Sequence, residues 1–291
     1  MKQAIIYISL ILFLFSCNYK KNTTKEEGKQ VITVSILPQK TFIHKIAGND
    51  FDVNVLIPPG ASPAAYTLLP SQLKNINRSQ VWFRIGYIGF EHSWKEKISQ
   101  ANRKMKVVDL SADLDLISVT DTKHPDKKHN KGVDPHIWMS PELVKQMCLH
   151  ITKILSDLNP EKESVYKNNY LEFVKEIDEL SSKIQEALKD YHDRQFITFH
   201  PSLSYYAREY GLIQHSLESG GKEPTPQHMA RVVELAKKEG IKTIYIQSEF
   251  DREHARVFAE EIEGEIVEVW PLNPAWAENL MEITKTLIDH F

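Results

Sequence analysis

The chain has 291 residues, with 36 Lys and Arg against 39 Asp and Glu for a formal net charge of −3, two cysteines and 42% hydrophobic residues. That length suggests about two domains with proper cores, and 11 glycines and 14 prolines exclude collagen-like and low-complexity chains. The near-balanced, dispersed charge leaves no electrostatic footprint for wrapping nucleic acid, so no nucleic-acid partner is expected.

Lys2 precedes an apolar run from Ala4 to Phe15, and the run ends at Leu14-Phe15-Ser16-Cys17. It is too short for a bilayer-spanning helix, which needs about 20 apolar residues, so residues 1–16 read as an export signal peptide. Leu14 three residues before the cysteine and Ser16 just before it resemble the bacterial lipobox, in which Cys17 is lipidated and anchors the mature chain. Phe15 is an unusual residue in that box. The polar stretch 17–30 then reads as a tether that holds an extracytoplasmic body off the membrane. With Cys17 lipidated, Cys148 has no disulfide partner. Its place among Leu143, Val144, Met147 and Ile151, one helical face, assigns it to the core.

From Val31 short β-branched runs alternate with helical patterns: strands at 31–36, 52–57, 81–85 and 106–110, with helices at 39–47, 71–77 and from Glu91. Residues 118–134 break this rhythm with Pro, Gly and charge and read as an exposed loop. Ser140 before Pro141 is a sound helix start, and the helix runs to Leu158 before Asn159-Pro160. From Glu161 to Tyr191 apolar residues recur every three or four positions (Tyr166, Tyr170, Val174, Ile177, Leu180, Ile184, Leu188), predicting a helix of about 30 residues, roughly 45 Å long. Strands at 196–199, 212–217, 241–246 and 265–269 follow, with helices ending near Tyr210, over 226–239, over 252–263 and from Trp276. The expected fold is α/β, with mostly parallel central sheets in two lobes, 31–159 and 192–291, joined by a long helix at 160–191. No sequence repeat relates the lobes.

Three positions share a topological address. His136 lies in the turn before Ser140, His200 ends the 196–199 strand, and Glu249 and Asp251 lie in the turn after the 241–246 strand. The last two addresses are strand carboxyl ends, where open α/β sheets bind ligands. Two imidazoles and a carboxylate suit zinc and, less selectively, manganese. His124 and His129, among lysines in the 118–134 loop, read as a solvated face. The remaining histidines read as structural or surface positions.

Several segments then carry a resemblance: PPGASPAAYTLLPSQL at 58–73, WFRIGYIGFEHSW at 82–94, DPHIWMSP at 134–141, FHPSLSYYAREYGL at 199–212, GGKEPTPQHM at 220–229, and the long helix. In this order, over 31–291, they resemble the zinc/manganese solute-binding receptors of bacterial ABC importers. The resemblance implies two lobes bridged by one rigid helix, a metal ion (Zn2+, alternatively Mn2+) bound between them, delivery to an ABC transporter permease, and no enzymatic activity. A monomer is expected. It carries the metal ligands over to His136 and His200, and the acidic one to Asp251 or Glu249. Where the family motif has a histidine, this chain has Ala64, so the fourth position falls to water, Tyr66 or Glu218. Two other functions remain open from sequence. A zinc hydrolase could use an open coordination position, although no H-E-x-x-H or G-x-S-x-G occurs. A degenerate receptor could bind another ligand.

Overall fold

The computed structural model describes residues 28–119, 132–218, 224–250 and 252–291. Cys17 with the signal and most of the tether, His124, His129 and Asp251 lie outside the described residues.

In the first lobe β1 (Gln30–Val34), β2 (Phe51–Val55), β3 (Ser79–Arg84) and β4 (Lys106–Asp109) form a parallel sheet in the order β2-β1-β3-β4. Its helices are α1 (Leu37–Ala47), α2 (Pro70–Ile76) and α3 (Gly89–Ala101). The second sheet contains β7 (Gln195–Thr198), β8 (Ile213–Ser216), β9 (Thr243–Gln247) and β10 (Glu265–Val269), again parallel, in the order β10-β9-β7-β8. Counted from the first strand of each lobe, both orders are second, first, third, fourth. The winding repeats although the sequence does not, because a right-handed crossover after each parallel strand leaves few alternatives. Strands covered on both faces read as unbroken apolar runs: Val31–Val34 and all of β9 are buried, whereas the edge strand β8 is not.

Between the lobes a two-residue antiparallel ladder pairs β5 (Ser118–Val119) with β6 (Gly132–Val133). It corrects the sequence reading of 118–134 as loop throughout, since two residues per strand are too few for a periodic signal. Helix α4 (Pro141–Leu158) starts as expected, with Ser140 Oγ accepting from Leu143 N at 3.2 Å. Cys148 is fully buried on its inner face. The bridging helix α5 covers Glu163–Leu188, 26 residues or about 39 Å. A 3-10 turn at Pro160–Lys162 precedes it, so the α-helix is shorter than the predicted Glu161–Tyr191. Its buried stripe is Tyr166, Phe173, Ile177, Leu180, Ile184 and Leu188, with Phe173 inward and Tyr170 and Val174 at the margin.

The second lobe carries α6 (Ser204–Tyr210), ended by Gly211 at φ 70°, then α7 (Pro226–Glu239), α8 (Arg252–Glu261) and α9 (Trp276–Asp289). Helix α9 returns to the first lobe and the bridge. Trp276 meets Phe42 of α1 edge-on at 5.4 Å and lies 6.4 Å from Phe173 of α5. One hydrophobic cluster therefore runs from the first sheet through α4 and α5 to Tyr206, Trp276 and Leu287, and a smaller one fills the far side of the second sheet around Ile197, Ile244 and Phe258. No helix among the described residues is long and apolar enough to cross a membrane.

Candidate metal centre

The second sheet reverses its winding between β7 and β9, and both strands end at the cleft. His200 follows β7 and Glu249 follows β9, the crevice position at which such sheets bind ligands. His136 enters from the turn after β6, at the head of a 3-10 turn, Ile137–Met139. Asp134 fixes that turn: its Oδ1 accepts from the His136 backbone N–H at 2.9 Å, and Tyr205 donates its hydroxyl to the Asp134 carbonyl at 2.8 Å.

The two imidazoles meet. His136 Nε2 and His200 Nε2 are 3.1 Å apart, with ring planes at 75°. Each ring is held from its other nitrogen by a buried carboxylate: His136 Nδ1 lies 2.8 Å from Asp134 Oδ1, and His200 Nδ1 bonds Glu218 Oε2. Such carboxylate–histidine pairs set tautomer and orientation at metal sites. When both Nδ1–H groups donate outward, two bare Nε2 lone pairs face each other, an arrangement that a cation between them stabilises. Two nitrogens each about 2.0–2.1 Å from a tetrahedral zinc stand about 3.3 Å apart, close to the observed gap.

Phe250 stacks on His200 at 5.0 Å and 23°, and Gln247 Nε2 donates to the His200 carbonyl at 3.2 Å. Burial, with His136 nearby and against the Glu218 hydrogen bond, holds the His200 imidazole below its ordinary value, which keeps it neutral and ready to ligate. Burial tends to raise Asp134, but the adjacent His136 and the hydrogen bonds to it prevail and keep it below the usual carboxylate value. Burial pushes Glu249 up, opposed by its own backbone, Ser248 and His200.

A cavity of about 70 Å³ opens in front of the pair, lined by His136, His200, Glu249 and Ala64 among others. The structure thus brings together three of the four sequence candidates and puts the anomalous alanine on the same wall. Among the described residues no three His, Cys, Asp or Glu side chains form a ready-made cage, so the preassembled part is the imidazole pair. Neither side-chain candidate for the fourth position stands free. The Tyr66 hydroxyl donates to Gln72 Oε1 at 3.0 Å, and Glu218 is engaged at Nδ1, the ring nitrogen away from the cavity. Sequence reasoning missed Glu218 as an orienting group. Its signal is the β7–β8 register, in which Thr198 pairs with Ser216 and two residues further on lie His200 and Glu218.

Two like-wound α/β lobes, a bridging helix and convergent imidazoles in the cleft define a solute-binding protein of the helix-bridged class. Residues 32–290 match the family described as ZnuA, zinc-uptake complex component A, periplasmic. A protein of Chlamydia trachomatis serovar D named "Putative metal-binding protein" is 32% identical over 228 residues, 77% of this chain and 78% of its own length. The zinc-binding lipoprotein AdcA of Streptococcus pneumoniae is 26% identical over 263 residues, 86% of this chain but 51% of its own, so the chain spans about half of that relative. The crystal structure of ZnuA superposes with a TM-score of 0.84 at 32% identity, covering 90% of this chain and 99% of that one. The chain belongs to the periplasmic zinc-uptake component A family, which makes it a receptor of an uptake complex and not an enzyme.

Proposed function

We propose that this chain captures zinc in its cleft through His136 Nε2, His200 Nε2 and a carboxylate of the 249–251 turn, Glu249 or Asp251, and delivers it to the membrane permease of an ABC importer. The single observation that carries the reading is the pair of carboxylate-oriented Nε2 atoms 3.1 Å apart at the cavity wall. Zinc is preferred to manganese because a nitrogen-rich, narrow donor set suits a small tetrahedral ion, whereas manganese favours oxygen-rich octahedral shells. Anchoring through a lipid on Cys17 belongs to the same reading. It is supported by the Leu14–Cys17 motif and by the pneumococcal relative's description as a lipoprotein.

The test is zinc affinity by competition with a chelator. His136→Ala and His200→Ala should each lose most of the affinity while keeping the circular dichroism of the parent. Glu218→Gln, which can no longer accept His200 Nδ1–H as a carboxylate does, should lose about 10–100-fold. Unchanged zinc affinity in both alanine variants would refute the assignment.

A further inference from the structure

The donors of the cavity are unevenly placed. His136, His200 and Glu249 come from the turn after β6 and the ends of β7 and β9, while the wall built by the loops after β2 and β3 consists of Ser62, Pro63, Ala64, Ile88 and Gly89. That wall offers one side-chain heteroatom, Ser62 Oγ, which accepts from the Ala64 backbone N–H at 3.3 Å. It is also fixed. Pro63 carbonyl accepts from Phe90 N at 2.9 Å, and Gly89 lies so close that a Cβ there would stand 2.5 Å from the Ala64 carbonyl oxygen. The loop therefore has no slack with which to carry a distant side chain into the void beside Ala64.

From this asymmetry we infer that the cavity takes a second, organic ligand: a small imidazole-bearing molecule whose ring nitrogen completes the shell of the bound metal at the Ala64 wall. The inference rests on the zinc-receptor reading and specifies its cargo as a metal with an accompanying nitrogen donor. Zinc in a closed site takes four ligands, and two imidazoles with one carboxylate leave one place open. The cavity of about 70 Å³ is larger than one water needs. An ordered water also requires two to four polar partners; Ser202, Gln247 and Glu249 offer them on the second-lobe side, whereas Pro63, Ala64, Ile88, Trp138 and Leu272 present mostly hydrocarbon. A flat five-membered ring meets both demands, because its faces pack on apolar wall and its nitrogen faces the metal.

Cobalt(II) replaces zinc as a visible probe, and imidazole itself is the ligand tested. In cobalt-saturated wild-type protein, added imidazole should change the visible ligand-field bands saturably. In Ala64→His, whose own ring fills the place, and in Ala64→Leu, whose side chain fills the void, the change should vanish or need at least about tenfold more imidazole, a difference of about 1.4 kcal/mol. No change in the wild type, or an equal change in Ala64→Leu, would overturn the inference while leaving the metal site standing. Cobalt that fails to bind, or that binds equally well to His200→Ala, would instead overturn the receptor site and this ligand with it.

Discussion

His215 shows how an imidazole away from the metal ties stability to pH. Burial first, against the neighbouring Glu239, holds it below the ordinary 6.5, and its Nε2 meets Gln195 Oε1 at 2.8 Å across the β7–β8 pair. The unfolded chain takes up this proton at a higher pH than the native one does. Between 6.5 and the lower native value the unfolded state thus binds more protons, and stability falls as the pH falls. His44 and His200 are shifted the same way and act in the same window. Thermal melts of the apoprotein at pH 7.5 and 5.5 should show a loss on acidification, and His215→Gln should show a smaller one. An equal loss in the variant would mean that His215 carries none of it. Of the residues at the candidate site, His136 and His200 stand out in the sequence because each lies at an element boundary beside a proline. Glu218 stands there only as a fourth-position candidate, and its pairing with His200 is hidden, since 18 positions separate the two and only strand register joins them.

At the scale of elements, legibility followed burial pattern. β10 and α7 have the ends their sequences suggest, because both are bounded by glycine, proline or a capping threonine. Helix α3 starts two residues before the predicted Glu91, since Gly89 and Phe90 are drawn into it by the loop at 62–66. Glu91 itself is fully buried, which the sequence reading of a helix starting there does not address. In the fold its carboxylate accepts from Ile85 N and Gly86 N at 2.7 Å each and from Ser35 Oγ, so it seats the turn that carries the Ile88–Gly89 wall. No periodicity encodes such a contact, because its donors come from two strand ends. The close seat of α3 against the loop makes Gly89→Ala a sharp test. The added methyl meets backbone rather than a flexible side chain, so overpacking of about 1–3 kcal/mol is expected by urea denaturation. Zinc affinity should fall with it as the Ala64 wall shifts. A variant as stable as the parent would show that the loop yields freely, contrary to its hydrogen bond with Phe90.

For the whole molecule, sequence suggested one bridging helix, and the structure has two ties. Helix α5 spans the lobes without glycine or proline, and α9 packs back on it, with the Trp276 ring 6.4 Å from that of Phe173 and Trp276 Nε1 donating to Trp138 O of the 137–139 turn at 2.7 Å. Trp138 Nε1 in turn donates to Pro271 O at 2.9 Å, and Thr41 Oγ1 to Pro274 O at 2.6 Å, so the chain after β10 is bonded to the first lobe and to the 137–139 turn. The second tie was hidden because an amphipathic helix announces its apolar face without naming what covers it. A wide hinge swing would have to break these bonds and open the hydrophobic cluster that both lobes share. The imidazoles, moreover, already stand at nearly the spacing zinc requires. Metal loading should therefore be a local event. Spin labels at Lys95→Cys on α3 and Lys237→Cys on α7, both exposed, can report it in a Cys17→Ser background. Cys148 will not compete for label, since it is fully buried and burial pushes its thiol far up. The interlabel distance should change by less than about 2 Å between apo and zinc-saturated protein, below the scale of domain rearrangements. A shift of several times that size would show that the two ties part on loading, and that the apo cleft is held open by something other than the contacts seen here.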